Sequence, residues 1–375
     1  MSKNVGLLLV LVFLTASLLV PPLSVKASST TIVVPDDYLN IQDAINAANE
    51  DDTILVKKGY YVENPVINKT VSLVGEDRDT TVIDVTAGLK VERDCVTVAG
   101  LTVFDGYEGI SVMGANCCNI YGNKVVDAQI GIALNGGENN SVSGNLLTSI
   151  GYGAAIVLWY SDHNLIKSNK IDLCTEGIQL RLGSSYNVVK ENIITNCEFV
   201  AVRLLGGYSP PRWYYPKGNT IMRNNISNSN CGTTIYASNN NVISKNNYVN
   251  NTYQFSANEE YFLTWGGNVS VNNIERNYWS DYSGTDANGD GIGDVPHVLD
   301  ENNVDPQPLM KPVAIPVFLE PTPTPELTPT PEPTTSSSYN QPQSLQNQLI
   351  LGAAATLTVI GVGVGLLVYF KKRKH

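Results

Sequence analysis

Three groupings of residues in the chain have the types and spacing to do chemistry. The first pairs acids with bases. Glu176 opens "EGIQLR" and Glu198 opens "EFVAVR", each two residues before an apolar position (Ile178, Val200), and Arg181 and Arg203 close the same stretches. Side by side, the two carboxylates would stand roughly 5 Å apart, the separation a retaining glycosidase uses. The arginines would either neutralise them or hold a ligand carboxylate in a bidentate fork. Trp159 and Tyr236 end two comparable stretches, and the insert "GGYSPPRWYYPKG" adds Tyr208, Arg212, Trp213, Tyr214 and Tyr215. Aromatic faces stack on sugar rings. The expectation is a groove for an elongated, acidic glycan. The plainer alternative leaves the loop packed on its own body and the arginines solvated.

The second grouping is "DANGDGIGD", which spaces oxygen ligands at alternate positions as the first half of an EF-hand loop does: Asp286, Asn288, Asp290, the Ile292 carbonyl and Asp294. Position twelve is His297 rather than a bidentate Glu, so closure of a calcium site would fall to Asp281 or Asp300. A simple Asx-Gly turn is the alternative. The third grouping is cysteine. Cys174 and Cys197 each follow an Asn (Asn169, Asn192) by five residues, which makes them candidates for a disulfide between stacked units, or for buried thiols. Cys95 lies close in frame to Cys117 and Cys118. His163, alone in "SDHN", reads as a surface turn residue.

These residues sit in a repeat. A frame N-x-[V/I]-x-x-N recurs as "NSVSGN" (140), "NLIKSN" (164), "NVVKEN" (187), "NTIMRN" (219), "NVISKN" (241) and "NVSVNN" (268), with weaker copies at 94 and 118; successive starts differ by 24, 22, 24, 23, 32, 22 and 27 residues. Each unit holds short alternating strands broken by Asn or Gly. One such unit cannot bury its apolar face, but stacked units share a continuous core. Asn tolerates the left-handed backbone of a corner, and stacked Asn side chains can bond along the axis. Aligning the third strand of each unit places Met113, Asn135, Trp159, Arg181, Arg203 and Tyr236 in one outward column. Near the start, Ile41, Ala44, Ile45 and Ala48 fall at helical spacing, which predicts a short helix over the first coil's open end.

The ends differ in kind. Residues 1–27 read as a signal peptide, with a charged start, an apolar run from Val5 to Val20 and a small-residue cleavage signal. Residues 313–348 are rich in Pro, Thr and Ser and read as an extended stalk. Residues 349–370 form an uncharged run long enough to span a bilayer, and 371–375 are a basic cytoplasmic tail. The body, 28–312, is then expected on the extracellular face of a cell membrane. The net charge of −11 becomes about −17 once the basic residues of the two ends are set aside. That excludes the basic face that nucleic acid requires.

"TIVVPDDYLNIQDAINAANEDDTILVKKGYYVENPVINKTVSLVGED", the Asn-rich coils and the closing "NYWSDYSGTDANGDGIGDVPHVLDENNVDPQPLM" resemble the NosD-like group of right-handed parallel β-helix proteins, within the wider pectate-lyase-like class that binds or cleaves sugars. The resemblance spans about Thr31 to Pro312. It implies an all-β, single-stranded, right-handed solenoid (PbH1 repeats, pectin-lyase-like fold), with an N-terminal capping helix and the C-terminal transmembrane helix added by the ends. For function it implies a polysaccharide- or envelope-glycan-binding or structural surface module, with a polysaccharide lyase or glycoside hydrolase as the alternative. A lyase would use arginine as base, but no acidic calcium cluster stands beside Arg181 and Arg203. The group also includes a copper-delivery accessory protein. Copper sites gather soft ligands, whereas His163, His297, Met113, Met222 and Met310 are scattered.

Overall fold

The computed structural model describes residues 29–257 and 271–318. Within them the chain winds as a right-handed parallel β-solenoid of about ten turns. A typical turn places Asn119–Tyr121 in a first sheet, Lys124–Val126 in a second and Ile130–Asn135 in a third, and then starts again at Ser141–Ser143. Stacked turns build three sheets of eleven, ten and nine strands among the described residues, and every pairing within them is parallel.

Period-2 alternation fixes what faces inward. The three-residue strands bury their middle residue, giving columns such as Ile120, Val142, Ile166, Val189, Ile221 and Ile243 in the first sheet. The six-residue strands of the third sheet turn two large residues into the core, Ile178 with Leu180 and, one turn on, Val202 with Leu204. The last turns fill the interior with rings: Tyr248 and Trp279 stack at 4.3 Å, and Thr233 meets the Tyr248 hydroxyl at 2.8 Å. A hydroxyl inside the core is tolerated here because it has a partner.

Two columns of asparagine run beside this core. Before the first sheet stand Asn140, Asn164, Asn187, Asn219, Asn241 and Asn272. Between the first and second sheets stand Asn123, Asn145, Asn169, Asn192, Asn224, Asn246 and Asn277. The links share one form, except that Asn140 gives only its backbone N–H to Asn164 and that the second Nδ2 bond of Asn241 goes to the Ser238 hydroxyl. Asn169 donates its backbone N–H (2.9 Å) and its Nδ2 (3.0 Å) to the Asn192 Oδ1 of the next turn, and its Nδ2 also reaches the Val142 carbonyl at 3.0 Å on the preceding turn. All but Asn272 are buried. The residue that takes the left-handed backbone is the one before each ladder asparagine, for example Ser168 (φ 53°), Glu191 (φ 57°) and Lys245 (φ 55°). The asparagine itself serves as the axial hydrogen bond of the turn. The final frame copy is therefore "NNIERN" from 272, since Asn272 and Asn277 receive the bonds from Asn241 and Asn246.

The ladder has a direction, so its last member is left with donors to satisfy. Asp305, fully buried in a short antiparallel pair (His297–Val298 with Val304–Asp305), accepts them. Its Oδ2 takes the Asn277 N–H (2.9 Å), the Asn277 Nδ2 (3.3 Å) and the Trp279 Nε1 (3.0 Å), and its Oδ1 takes the Arg276 N–H (2.9 Å) and the Gln307 N–H (3.1 Å). At the other end, the helix Ile41–Ala47 buries Ile41, Ala44 and Ile45. Glu63 accepts the first two helical N–H groups (Ile41 and Gln42), and the Gln42 amide both donates to the Val66 carbonyl and accepts its N–H. Val66–Ile67 is the edge strand of the third sheet, so Gln42 gives that edge the bonds a further strand would supply.

The expected signal peptide, transmembrane helix and basic tail lie outside the described residues, as does the stalk from 319 onward. Among the described residues no helix is long and apolar enough to cross a membrane. The first residues of the expected stalk are held to the body: Val313 exchanges two hydrogen bonds with the Asn247 side chain, and Arg223 donates to the Ala314 carbonyl.

Five donors converge on Asp305, so its amide isostere would turn an NH2 group toward N–H groups. Asp305→Asn is expected to cost about 2–4 kcal/mol, since leaving buried polar groups unpaired costs about 1–3 kcal/mol each. Urea unfolding of the two proteins measures this; equal midpoints would show that the carboxylate does not terminate the ladder.

Candidate functional site

The outer face of the third sheet carries most of the residues picked out above, in a register that differs from the expected one. The column at the strand ends runs Met113, Asn135, Trp159, Arg181, Leu205 and Tyr236. Arg203 is absent from it. Arg203 stands one outward position earlier, in the column Ser111, Ala133, Val157, Gln179, Arg203 and Thr234. Glu176 likewise pairs with Val200, while Glu198 is an exposed residue outside the strand. The two glutamates are therefore not brought together as a catalytic pair.

The physical reason lies one position after Glu176. Gly109, Gly131, Ala155, Gly177, Ala201 and Gly232 form a column of small residues; a Cβ on Gly177 would stand 2.2 Å from the Ala201 carbonyl oxygen, and one on Gly232 2.5 Å from that of Gln254. That column sets Gly177-Ile178 against Ala201-Val202. In "VAVRLL" the alternation Val200/Val202 and the alternation Val202/Leu204 are equally regular, so hydrophobicity alone leaves a two-residue slip open. The small-residue column is the signal that closes it.

The true register assembles a different group. Arg203 Nη1 lies 2.8 Å from Glu176 Oε1, and Gln179 donates its Nε2 to the other carboxylate oxygen. Glu176 is only 9% exposed. Arg181 sits in the neighbouring outward column, half-buried. Burial pushes its guanidinium below the ordinary value, the Glu176 carboxylate pulls it back up, and Arg203 pushes it down again. The Nε atoms of Arg181 and Arg203 and the Thr234 hydroxyl are buried without a hydrogen-bond partner. Two guanidinium groups thus stand near one carboxylate, which is paired with Arg203. On the preceding turns the face is apolar: Ile130, Ala133, Ala154 and Val157 form a small cluster outside the main core, and Trp159 packs against it. The inner outward column is nearly closed to solvent, whereas Trp159, Arg181, Leu205 and Tyr236 keep part of their surface free.

The insert forms an antiparallel hairpin, Gly207–Ser209 with Arg212–Tyr214, continuing from the strand that ends at Leu205. Its rings touch one another: Tyr208 and Trp213 lie 5.7 Å apart, Trp213 and Tyr215 stack at 6.2 Å, and the Arg212 guanidinium lies 5.4 Å from the Tyr214 centroid. The hairpin leans on the corner after the third sheet, where Tyr214 meets Tyr160 edge-on at 5.2 Å and passes close to Gly183. It therefore lies along one side of the column, beside the corner that follows Trp159 and Arg181. Tyr208 remains 56% exposed.

In the Asp286–Asp294 loop, Asp286 accepts the N–H groups of Gly289, Asp290 and Gly291, and Asp294 accepts that of Ala287. The loop is thus ordered by its own amides in the manner of an Asx turn. Among the described residues no three His, Cys, Asp or Glu side chains converge as a metal site. The two histidines among the described residues are engaged elsewhere: His163 stacks on Tyr186 at 5.2 Å, and His297 is packed against Trp279 and Tyr282 with Asp281 3.7 Å away. Copper does not fit these residues. Cys174 and Cys197 are free and buried, and desolvation pushes the Cys174 thiol up to about 11.

The winding and its register make this chain a right-handed parallel β-helix protein. The model of the family described as periplasmic copper-binding protein (NosD) matches residues 45–209, which bears out the resemblance read from the sequence. Similar solved structures include the pectate lyase Pel9A (15% identity, TM-score 0.49, over 66% of this chain and 76% of that one). Others are the PL6-family alginate lyase AlyGC (16%, 0.48, 67% and 38%) and the Dettilon tailspike protein gp208 (14%, 0.45, 66% and 62%). The chain therefore spans less than two thirds of the tailspike and of AlyGC. At these identities and scores no activity transfers from them. No curated protein sequence matches.

Glu176 neutralises Arg203 in a nearly closed setting, so Glu176→Gln leaves a guanidinium without its counter-charge. The expected cost is about 3 kcal/mol, with part of it recovered in Glu176→Gln/Arg203→Met. Chemical denaturation of the three proteins tests this, and an unchanged midpoint for the single variant would remove the pair from the structural account.

Proposed function

We propose that the strand-end column of the third sheet binds an acidic polysaccharide or envelope glycan, with Arg181 taking a sugar carboxylate and Trp159 and Tyr236 stacking on rings to either side. The observation that carries this is Arg181. It is a half-buried guanidinium with an unpartnered buried Nε, beside an arginine that already holds the local carboxylate. The chain as a whole is acidic, with a net charge of −11, so a surplus cation on this face is a local feature and not an average property. Rows lie about 4.8 Å apart, so a sugar chain running along the axis would cross several of them. Tyr208 and the hairpin would limit it at one side.

Catalysis is the second reading. The separation of Glu198 from Glu176 counts against a two-carboxylate hydrolase, and a lyase would have to use Arg181 as base. The surface location and membrane tether are proposals that rest on the sequence of the two termini. Calcium at the Asp286–Asp294 loop is also a proposal, with Asp286, Asn288, Asp290 and the Ile292 carbonyl as the first ligands. It predicts a Tm several degrees higher in calcium than in EDTA; equal melting curves would remove it.

For the glycan, titration calorimetry against uronate oligosaccharides and neutral oligosaccharides of equal length is the direct test. Binding is expected for the acidic series. Arg181→Ala should weaken it roughly tenfold or more, since a charge-assisted hydrogen bond contributes about 1.5–3 kcal/mol. Equal affinity in the variant, or no preference for acid, would overturn the reading. Appearance of unsaturated-uronate absorbance in the same mixtures would establish the lyase alternative.

A further inference from the structure

We propose that Cys95 and Cys117 are a redox site: a dithiol that oxidises to a disulfide joining two successive turns of the solenoid. They are exposed free thiols, in contrast to the buried Cys118, Cys174, Cys197 and Cys231. They occupy the same corner of adjacent turns, just before the first sheet, and share one backbone conformation (φ 59° and 57°). Equal backbone angles at equal positions point their Cα–Cβ bonds in nearly the same direction. The corner is held tightly. Cys95 donates its N–H to the Asn116 carbonyl at 2.8 Å, and Asp94 accepts from the Asn116 N–H at 2.8 Å and from its Nδ2 at 3.3 Å. Successive turns lie about 4.8 Å apart, inside the Cα–Cα range of about 4.4–6.8 Å that a disulfide spans. The Cys95 thiol is pushed up, by desolvation first and then by the neighbouring Cys117, but unlike the buried cysteines it is open to an oxidant.

Position alone does not single out this pair, because Cys174 and Cys197 are stacked in the same way. Access does. Thiol–disulfide exchange needs a thiolate that the oxidant can reach. Cys174 donates to the Asp172 carbonyl at 3.3 Å, desolvation pushes its thiol and that of Cys197 up, and each residue is 2% exposed. Cys118, next in sequence to Cys117, turns inward and donates to the Arg93 and Asn116 carbonyls. The surface pair is left as the reactive one.

The oxidant is a small-molecule disulfide such as oxidised glutathione. The thiolate of one cysteine attacks it, forming a mixed disulfide and releasing one glutathione thiolate. The thiolate of the other cysteine then attacks the protein sulfur of that mixed disulfide and releases the second glutathione thiolate. Two protein thiols are oxidised, one external disulfide is reduced to two thiols, and no other reactant enters.

The test is to incubate the full chain in oxidised glutathione, quench with iodoacetamide, digest without reductant and identify the cysteine peptides by mass. The expected product is a Cys95–Cys117 cross-linked peptide, lighter by two hydrogens than its separate parts, with Cys174 and Cys197 alkylated only after unfolding. Cys95→Ser and Cys117→Ser should each stop at a stable glutathione adduct on the remaining cysteine. The oxidised wild type should melt several degrees above the reduced form, while neither serine variant shows such a shift. Alkylation of both Cys95 and Cys117 after oxidation, or a cross-link from Cys95 to Cys118, would overturn the proposal.

Discussion

The structure depends on a single repeated hydrogen bond that has a direction. Each interior rung gives its backbone N–H, and all but Asn140 also the side-chain Nδ2, to the oxygen of the asparagine one turn further on. An amide suits an interior rung because it donates and accepts on opposite sides, and no other side chain of that length does both without charge. The same asymmetry makes the ladder's ends chemically unlike. The early end presents an acceptor to backbone N–H groups, as Asn123 does to Leu101. The late end presents donors, and there the amide gives way to the acceptor-only Asp305. The closing segment of the sequence is thus a stop for the polar column that ends at Asn277, and Trp279 closes the apolar column while donating to that same aspartate.

The winding was legible in the sequence because it depends on features that repeat without ambiguity. Asparagines at a period of 22 to 24 residues, each pair flanking one inward Val or Ile, can satisfy their amides only by stacking. The third sheet was less legible. Its strands are longer and alternate all the way through, and the stretch from Val200 to Leu205 offers two registers of equal hydrophobic quality. The glycine and alanine column decides between them by admitting only small residues, with no room for a Cβ at its glycines, a constraint that leaves little trace in hydropathy. A two-residue slip keeps every side chain on its correct face while changing every neighbour. Glu198 therefore had an expected partner that it does not meet, and Glu176 acquired Arg203 and Gln179 in its place.

The candidate site shows how a regular scaffold produces an irregular surface. Inward columns tolerate only apolar residues and satisfied polar ones. Outward columns are freer, and here they change from aliphatic at Ala133 and Val157 to polar at Gln179 and charged at Arg203 over two steps of the winding. The aromatic insert, read as a loop, forms a two-stranded hairpin, and its placement depends on Tyr160 and Gly183, contacts that only the turn geometry reveals.

The two long steps of the repeat leave from the same corner. Asn187 to Asn219 spans 32 residues and Asn241 to Asn272 spans 31, yet the amide bonds across them measure 3.1 and 2.8 Å, much as across the shortest steps. The winding is indifferent to how much chain is spent between the third sheet and the next asparagine. Such a corner is a place where loops of different length and chemistry can be exchanged over generations while the rod beneath stays the same, so that recognition can diverge without the architecture having to be reinvented.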